Sequence, residues 1–337
     1  MDDSAIELSV IIPYFQREKG ILRRAIVSAL RQEGFDAFDI VVVDDGSPVP
    51  AIDDIGDLVA AHPGRIKIIK QQNKRAGAAR NTGLNSLPAN RRYVALLDSD
   101  DEWEPHHLAT AVAVLKHGCD CYFSNLYNLD EAISKFDKEE KTSWPGRLRP
   151  EEMRAIEGMP QCFEFCGDMF DRALFSGNLI MPTTFVYDFS KFGKVRFREE
   201  FRHWGEDVLF FADFAAAHAK FGFSSRSGAR RGHGVNSFDK SGWGTPGFLS
   251  RLCDDRAILE YAGQAWGLSV RQRSVLREKV AQIRRDFAAV LSAHLVRGEF
   301  AQLRQFVRFS RLDPLFPALF PFLVLRSGWN RLARALA

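Results

Sequence analysis

The stretch Leu96-Leu97-Asp98-Ser99-Asp100-Asp101-Glu102-Trp103-Glu104-Pro105 decides how the chain is read. The apolar run Tyr93 to Leu97 delivers Asp98, Asp100 and Asp101 at its end, which is how a buried parallel strand presents carboxylates at the carboxyl edge of a sheet. Three acids within four positions repel one another unless positive charge sits among them. Hard oxygen ligands suit Mg2+ or Mn2+, and such ions are commonly shared with substrate phosphates, so a divalent cation carrying a diphosphate fits. A solvated acidic turn capping the helix that begins near Pro105 fits the same residues, because acids are favoured at helix N-termini. The rest of the chain has to decide between the two.

Upstream, Leu8 to Ile12 is a β-branched run closed by Pro13, as expected of a first buried strand. Ile21 to Gln32 carries apolar residues at the three-and-four spacing of a helix packed on a sheet. Phe38 to Val43 predicts a second strand ending in Asp44, Asp45, Gly46 and Ser47, and Arg65 to Lys70 a third. A small-residue helix over Ala76 to Leu87, stopped by Pro88, leads into the fourth strand, Tyr93 to Leu97. This alternation argues for right-handed βαβ units and a mainly parallel sheet flanked by helices. Asp44 and Asp45 then share one sheet edge with Asp98, Asp100 and Asp101, the edge at which open α/β sheets bind ligands. No Gly-x-Gly-x-x-Gly or Walker-type loop follows any of these strands, which speaks against a dinucleotide oxidoreductase or a P-loop enzyme.

Between these acids lies Gln72 to Gly83, whose small residues allow close helix packing and whose Lys74, Arg75 and Arg80 bring positive charge. An exposed basic helix start is the other reading of that segment. Downstream, Asn128 to Glu152 reads as a polar excursion, and Phe175 to Phe185 as a loop feeding a strand. Gly205-Glu206-Asp207 precedes an apolar helix, so Asp207 is either a first-turn cap or a functional acid. Gly228 to Gly247 is glycine-rich and basic, the profile of a flexible substrate loop, and it contains Arg230, Arg231 and His233. His106 and His107 are read as helix surface.

Composition places few limits on this picture. At 337 residues with a formal net charge of +3, the chain suits one large domain with an appendage or two modest domains, and it carries no nucleic-acid-binding signature. Its five cysteines form no paired Cys-x-x-Cys set and are read as reduced thiols, which favours the cytosol, as does the lack of a signal-peptide pattern at Met1. Phe248 to Phe309 shows helical patterning. From Arg271 onward basic residues far outnumber the acids Glu278, Asp286, Glu299 and Asp313. The apolar segment Leu315 to Leu325 is too short and too broken by Pro317 and Pro321 to span a bilayer, but suits a membrane-surface contact, a homo-oligomer contact, or docking on the chain's own core.

Taken together, the ordered motifs Ser9 to Tyr14, Val43 to Ser47, Asn73 with Gly77 and Ala79 to Gly83, Leu97 to Asp101, and Gly205 to Asp207 resemble the family 2 glycosyltransferases. The resemblance covers about residues 8 to 240 and leaves a helical region, 241–337, without a counterpart. It implies a GT-A fold of Rossmann-like character, with a nucleotide-sugar half over about 1–118 and an acceptor half over about 119–240. It further implies that Pro13, Tyr14, Asp44, Asp45, Asn73, Gly77, Arg80, Asp98 and Ser99 serve the nucleotide-sugar donor, with Asp45 accepting from the base. By the same resemblance Asp100, with Asp101 and a loop histidine matched here by His233, holds Mg2+ or Mn2+. Asp207 is implied as the general base supported by Glu206, its pKa raised by partial burial or by Glu206. The function expected is inverting transfer from a UDP-sugar to a glycan or lipid-linked acceptor, in surface polysaccharide synthesis on the cytoplasmic side. A nucleotidyltransferase could also place paired aspartates and a metal at a sheet edge, but would have no use for Asp207. A non-catalytic nucleotide-sugar binding module would not need the set Asp45, Asp100 and Asp207.

Overall fold

The computed structural model describes residues 6–128, 134–137, 148–201, 205–234, 245 and 247–325. Parts of the expected polar excursion and of the glycine-rich loop, and everything after residue 325, lie outside the described residues. The chain divides into two compact units, one of residues 1–202 and 206–235, the other of 203–205 and 236–337.

In the first unit, β1 (Leu8–Tyr14), α1 (Ile21–Leu30), β2 (Phe38–Asp44), α2 (Ala51–Ala61), β3 (Ile66–Lys70), α3 (Ala76–Asn85) and β4 (Tyr93–Leu96) alternate strictly. They are followed by β5 (Glu102–Trp103), α4 (His107–Lys116), β6 (Cys121–Asn128), β7 (Met153–Ala155) and β8 (Cys162–Phe165). Short α5 (Met169–Asp171), β9 (Val186–Asp188), short α6 (Phe189–Phe192), α7 (Glu206–Ala216) and β10 (Phe221–Arg231) complete it. The strand order is β3-β2-β1-β4-β9-β6-β10-β8-β7, with β5 paired to β10. Strands β3, β2, β1 and β4 run parallel, as do β6 and β10, while β9 is antiparallel to both β4 and β6. The sheet is therefore mixed, and its parallel half carries the acid-bearing edge.

Alternation along β1 shows why the sheet is covered on both faces. Leu8, Val10, Ile12 and Tyr14 join one apolar core with Leu22, Ile26, Leu108 and Val112, and Ile11 joins the other with Ala79, Phe210 and Phe214. Helices α1 and α4 thus pack on one face, α3 and α7 on the other. The glycine-rich stretch begins differently from its sequence reading: Gly228 to Arg231 continue β10, where Ala229 and Arg230 pair with Trp103 and Glu102. Pairing on both sides of β10 holds this segment in place of a loop. All five cysteines are free thiols.

The second unit is helical, with α8 (Phe248–Ala265), α9 (Val270–Val296), α10 (Leu303–Leu312) and a further helical stretch over 316–325. Ser269 and Gln272 form a capping box at the start of α9. Buried Asp313 accepts from Arg256 at 3.0 Å and from Arg284 at 2.7 and 2.8 Å, which ties the end of α10 to α8 and α9. Burial works to raise the Asp313 carboxyl, and the two guanidinium groups outweigh it, holding its pKa below the usual range. No helix among the described residues is long and apolar enough to cross a membrane.

Candidate active site

Parallel register brings the ends of β1 and β2 level, with Tyr14 opposite Asp44, and sets Leu96 of β4 beside Ile11. Asp44 is fully engaged with the chain that follows it. Its Oδ1 accepts from the Ser47 N–H and its Oδ2 from the Ala51 N–H, both at 2.9 Å, so it closes the turn and anchors the first turn of α2. Asp45 faces the next crossover instead: Oδ1 accepts from Gln71 Nε2 at 2.7 Å and from the Lys74 N–H at 2.8 Å, and Oδ2 from the Arg75 N–H at 2.8 Å. That grip matters because Arg75 sits at φ 77°, a conformation a non-glycine residue adopts only when its surroundings fix it. Pro13 is buried and Asn73 exposed. Tyr14 is 0% exposed, its phenol pushed up to about 12 by burial, so it meets the site through its main chain, accepting from the Asp45 N–H at 2.9 Å. Gln16, which the motifs do not mark, accepts from and donates to Ser47 and reaches Ser99 Oγ at 3.2 Å.

The acidic stretch turns tightly after β4, with the Asp101 N–H donating to the Asp98 carbonyl at 3.1 Å. Asp101, 3% exposed, accepts from the Gly232 N–H at 2.9 Å. Residues 232–234 lie directly on Asp100. A β-carbon added at Gly232 would stand 1.7 Å from the Asp100 carbonyl oxygen, and one at Gly234 2.4 Å from Asp100 Oδ2. Only glycine permits that approach on either side of His233, which is itself exposed. Burial, and then the charge of Asp98, push the Asp100 carboxyl up to about 6. His107 corrects the surface reading: it is 0% exposed, its ring packs 4.9 Å from Trp103, and burial lowers its pKa to about 3.

Among the described residues no three His, Cys, Asp or Glu side chains form a set able to hold a metal ion unaided. A crowded, desolvated carboxylate such as Asp100 nevertheless suits a divalent cation whose remaining ligands come from substrate phosphates, the usual arrangement for Mg2+.

Opposite this edge, Glu206 and Asp207 open α7. Arg80, on α3 and 4% exposed, joins the two sides: Nη2 donates to Asp98 at 2.7 Å and Nη1 to Glu206 at 3.3 Å. Its guanidinium also stands 5.1 Å from the Phe197 ring centroid. Burial alone would lower the Arg80 pKa, but Asp98 and Glu206 outweigh it and the net shift is upward. Burial foremost, then the neighbouring Asp207, push Glu206 up to about 7 against the pull of Arg80. Burial likewise raises Asp207, also against Arg80, and its Oδ1 accepts from the Val208 N–H at 2.8 Å. Adjacent carboxylates resist ionising together, so the two titrate as a pair. All fourteen expected residues fall within the first unit. Phe197 and Gln71 carry no sequence signal of their own, since only tertiary packing brings them to Arg80 and Asp45.

An open α/β sheet with acids at the carboxyl ends of parallel strands is the architecture of the GT-A glycosyltransferases, and solved structures agree on the fold. The structure of Staphylococcus aureus TarS residues 1–349 in complex with UDP-GlcNAc superposes with a TM-score of 0.53 at 17% identity, over 95% of this chain and 89% of that one. GalNAc-T7 with UDP, GalNAc and Mn2+ gives 0.55 at 16% identity, over 87% and 58%. Residues 9–177 match glycosyl transferase family 2, and the chain belongs to that family. The succinoglycan biosynthesis protein ExoW of Rhizobium meliloti (strain 1021) is 34% identical over 246 residues, 73% of this chain and 75% of its own. A second succinoglycan biosynthesis protein of that organism, ExoO, is 38% identical over 108 residues, 32% of this chain and 29% of its own. The chain is a glycosyltransferase.

Proposed function

We propose that the chain transfers a sugar from a UDP-sugar, with inversion, to a hydroxyl of a glycan or lipid-linked acceptor in surface polysaccharide synthesis at the cytoplasmic face of a membrane. The observation that carries this reading is the Arg80 bridge, which joins Asp98 on the donor edge to Glu206 beside Asp207 in one ion-pair network. The UDP-GlcNAc complex of TarS supports a UDP donor, and the name of ExoW supports a polysaccharide product.

In this reading Asp45 holds the strained 74–75 backbone and meets the base, while Arg80 and Ser99 line the diphosphate side. Mg2+ or Mn2+ held by Asp100 would supply positive charge as the diphosphate leaves, with Asp101 fixing the 232–234 chain and His233 as a further ligand. Asp207 takes the proton of the attacking hydroxyl. Its raised pKa makes it a stronger base than an ordinary carboxylate, and Glu206 keeps Arg80 beside it. One displacement on the face opposite the leaving group inverts the anomeric centre.

The test is a screen of nucleotide sugars for slow donor hydrolysis with and without chelator, which needs no acceptor. Hydrolysis of one UDP-sugar that stops on chelation and returns with Mn2+ is the expected result; chelator-insensitive hydrolysis removes the metal from the mechanism. With the acceptor known, Asp207→Asn should lower kcat/KM by about 10²- to 10⁴-fold with donor affinity kept, and full turnover would remove Asp207 as the base.

A further inference from the structure

The exposed apolar surface of the described residues is concentrated in one place. Of ten large hydrophobic side chains left exposed, eight fall between Val296 and Leu325 in the second unit. An aromatic seam takes one side of α10 and of the stretch 316–325: Phe309 lies 4.6 Å from Phe316, and Phe306 5.2 Å from Phe320. The other side of α10 exposes Leu303, Arg304, Val307 and Arg311, positions that fall within roughly 100° of the helix circumference. Arg304 and Arg311 have no ion-pair partner among the described residues, whereas neighbouring Arg308 is held by Asp254. From 314 to 325 there is no charged side chain, and Leu315, Leu319, Phe322 and Leu325 repeat along one exposed face. Between Phe300 and Leu325 the single acid, Asp313, is buried and held by Arg256 and Arg284.

Over 300–325 the exposed charged side chains are Arg304 and Arg311, both cations, and an apolar surface with that charge is complementary to one that is apolar in depth and anionic at its edge. A spanning role does not fit, because no described helix is both long and apolar enough to cross a bilayer. We infer that this face docks in plane on an anionic lipid surface, with Val307, Leu319 and Phe322 in the acyl boundary and Arg304 and Arg311 among the headgroup phosphates. The sequence beyond 325 adds Arg326, Arg331 and Arg334 and no acid, which strengthens the same charge sign.

The experiment is co-sedimentation of the full chain with phosphatidylglycerol–phosphatidylethanolamine vesicles and, separately, with phosphatidylcholine vesicles. The chain should pellet with the anionic vesicles, less so as salt rises, and remain in the supernatant with phosphatidylcholine. Arg304→Ala and Arg311→Ala should each weaken binding about fivefold. Leu319→Asp with Phe322→Asp should abolish it, with circular dichroism unchanged because both side chains are exposed. Failure of the unaltered chain to pellet with anionic vesicles overturns the inference, as does equal binding to phosphatidylcholine. Dimers in light scattering that the Leu319→Asp/Phe322→Asp variant dissociates, without vesicle binding, would assign the face to a second copy and overturn it too. Vesicle binding does not depend on transfer activity, so either result leaves the enzymatic reading to its own tests.

Discussion

Gly77 lies flush against Glu206: a β-carbon added at Gly77 would stand 3.2 Å from Glu206 Cγ and 3.4 Å from Phe197 Cβ. The bare α-carbon lets α3 touch the first turn of α7, and that contact brings Arg80, one helical turn further on, within reach of both Asp98 and Glu206. Gly77→Val should therefore force the helices apart and break the Arg80–Glu206 pair. The expected outcome is destabilisation by about 1–3 kcal/mol with a larger loss in kcat than in donor affinity, read by thermal melting and steady-state kinetics.

Arg80 lowers the pKa of both carboxyls at the start of α7. Removing that cation in Arg80→Gln should move the acidic limb of the pH–rate profile to higher pH, because the proposed base, Asp207, then ionises later. A profile that keeps its midpoint while only its height falls would show that Arg80 acts on the donor alone.

The two acids after β2 have different tasks, and their variants should separate. Asp44 closes a turn and anchors α2, so Asp44→Ala leaves the Ser47 and Ala51 N–H groups without partners and should cost about 1–2 kcal/mol of stability. Asp45 holds the Lys74–Arg75 backbone at the candidate donor pocket. Asp45→Ala should raise the KM for the nucleotide sugar by more than Asp44→Ala does, with melting and donor titration as the two readouts.

Glu206 also makes stability depend on pH in a set direction. Its pKa is about 7 in the folded chain against 4.5 for the ordinary carboxyl, so between those values the folded state binds more protons than the unfolded one. Stability should fall as pH rises through that window. Glu206→Gln keeps a neutral acceptor for Arg80 and removes the titration, so it should flatten this slope and gain at most about 3 kcal/mol above pH 7.

The parallel half of the fold is legible because its strands, buried on both faces, spell near-continuous apolar runs that end in acids. Strands β6 and β10 are not: Ser124, Asn125, Ser224 and Ser227 interrupt them, and the register shifts between Ser224 and Ala229 hide the period of two. Helix α2 escapes for a similar reason, since only Ala51, Asp54 and Ile55 of it are buried. In the site, the acids are legible as motifs, but their tasks are not. That Asp44 is occupied by a turn, that Asp45 holds a strained loop and that Arg80 rests beside Phe197 follow from contacts across distant parts of the chain.

The glycines around His233 supply the last prediction. Residues 232–234 can lie on Asp100 only because neither glycine carries a β-carbon, and Asp101 fastens them through the Gly232 N–H. Gly232→Ala must push the chain off Asp100 by more than 1 Å, since real β-carbons do not come within 3.0 Å of a heavy atom. It should break the Asp101 contact and carry His233 away with the loop. His233→Ala leaves that packing intact. If the imidazole binds metal, His233→Ala should raise the Mn2+ concentration needed for half-maximal donor hydrolysis, and Gly232→Ala should raise both that concentration and the donor KM. A His233→Ala variant with an unaltered Mn2+ dependence would leave Asp100 and the diphosphate as the proposed ligands and reduce residues 232–234 to a packing role.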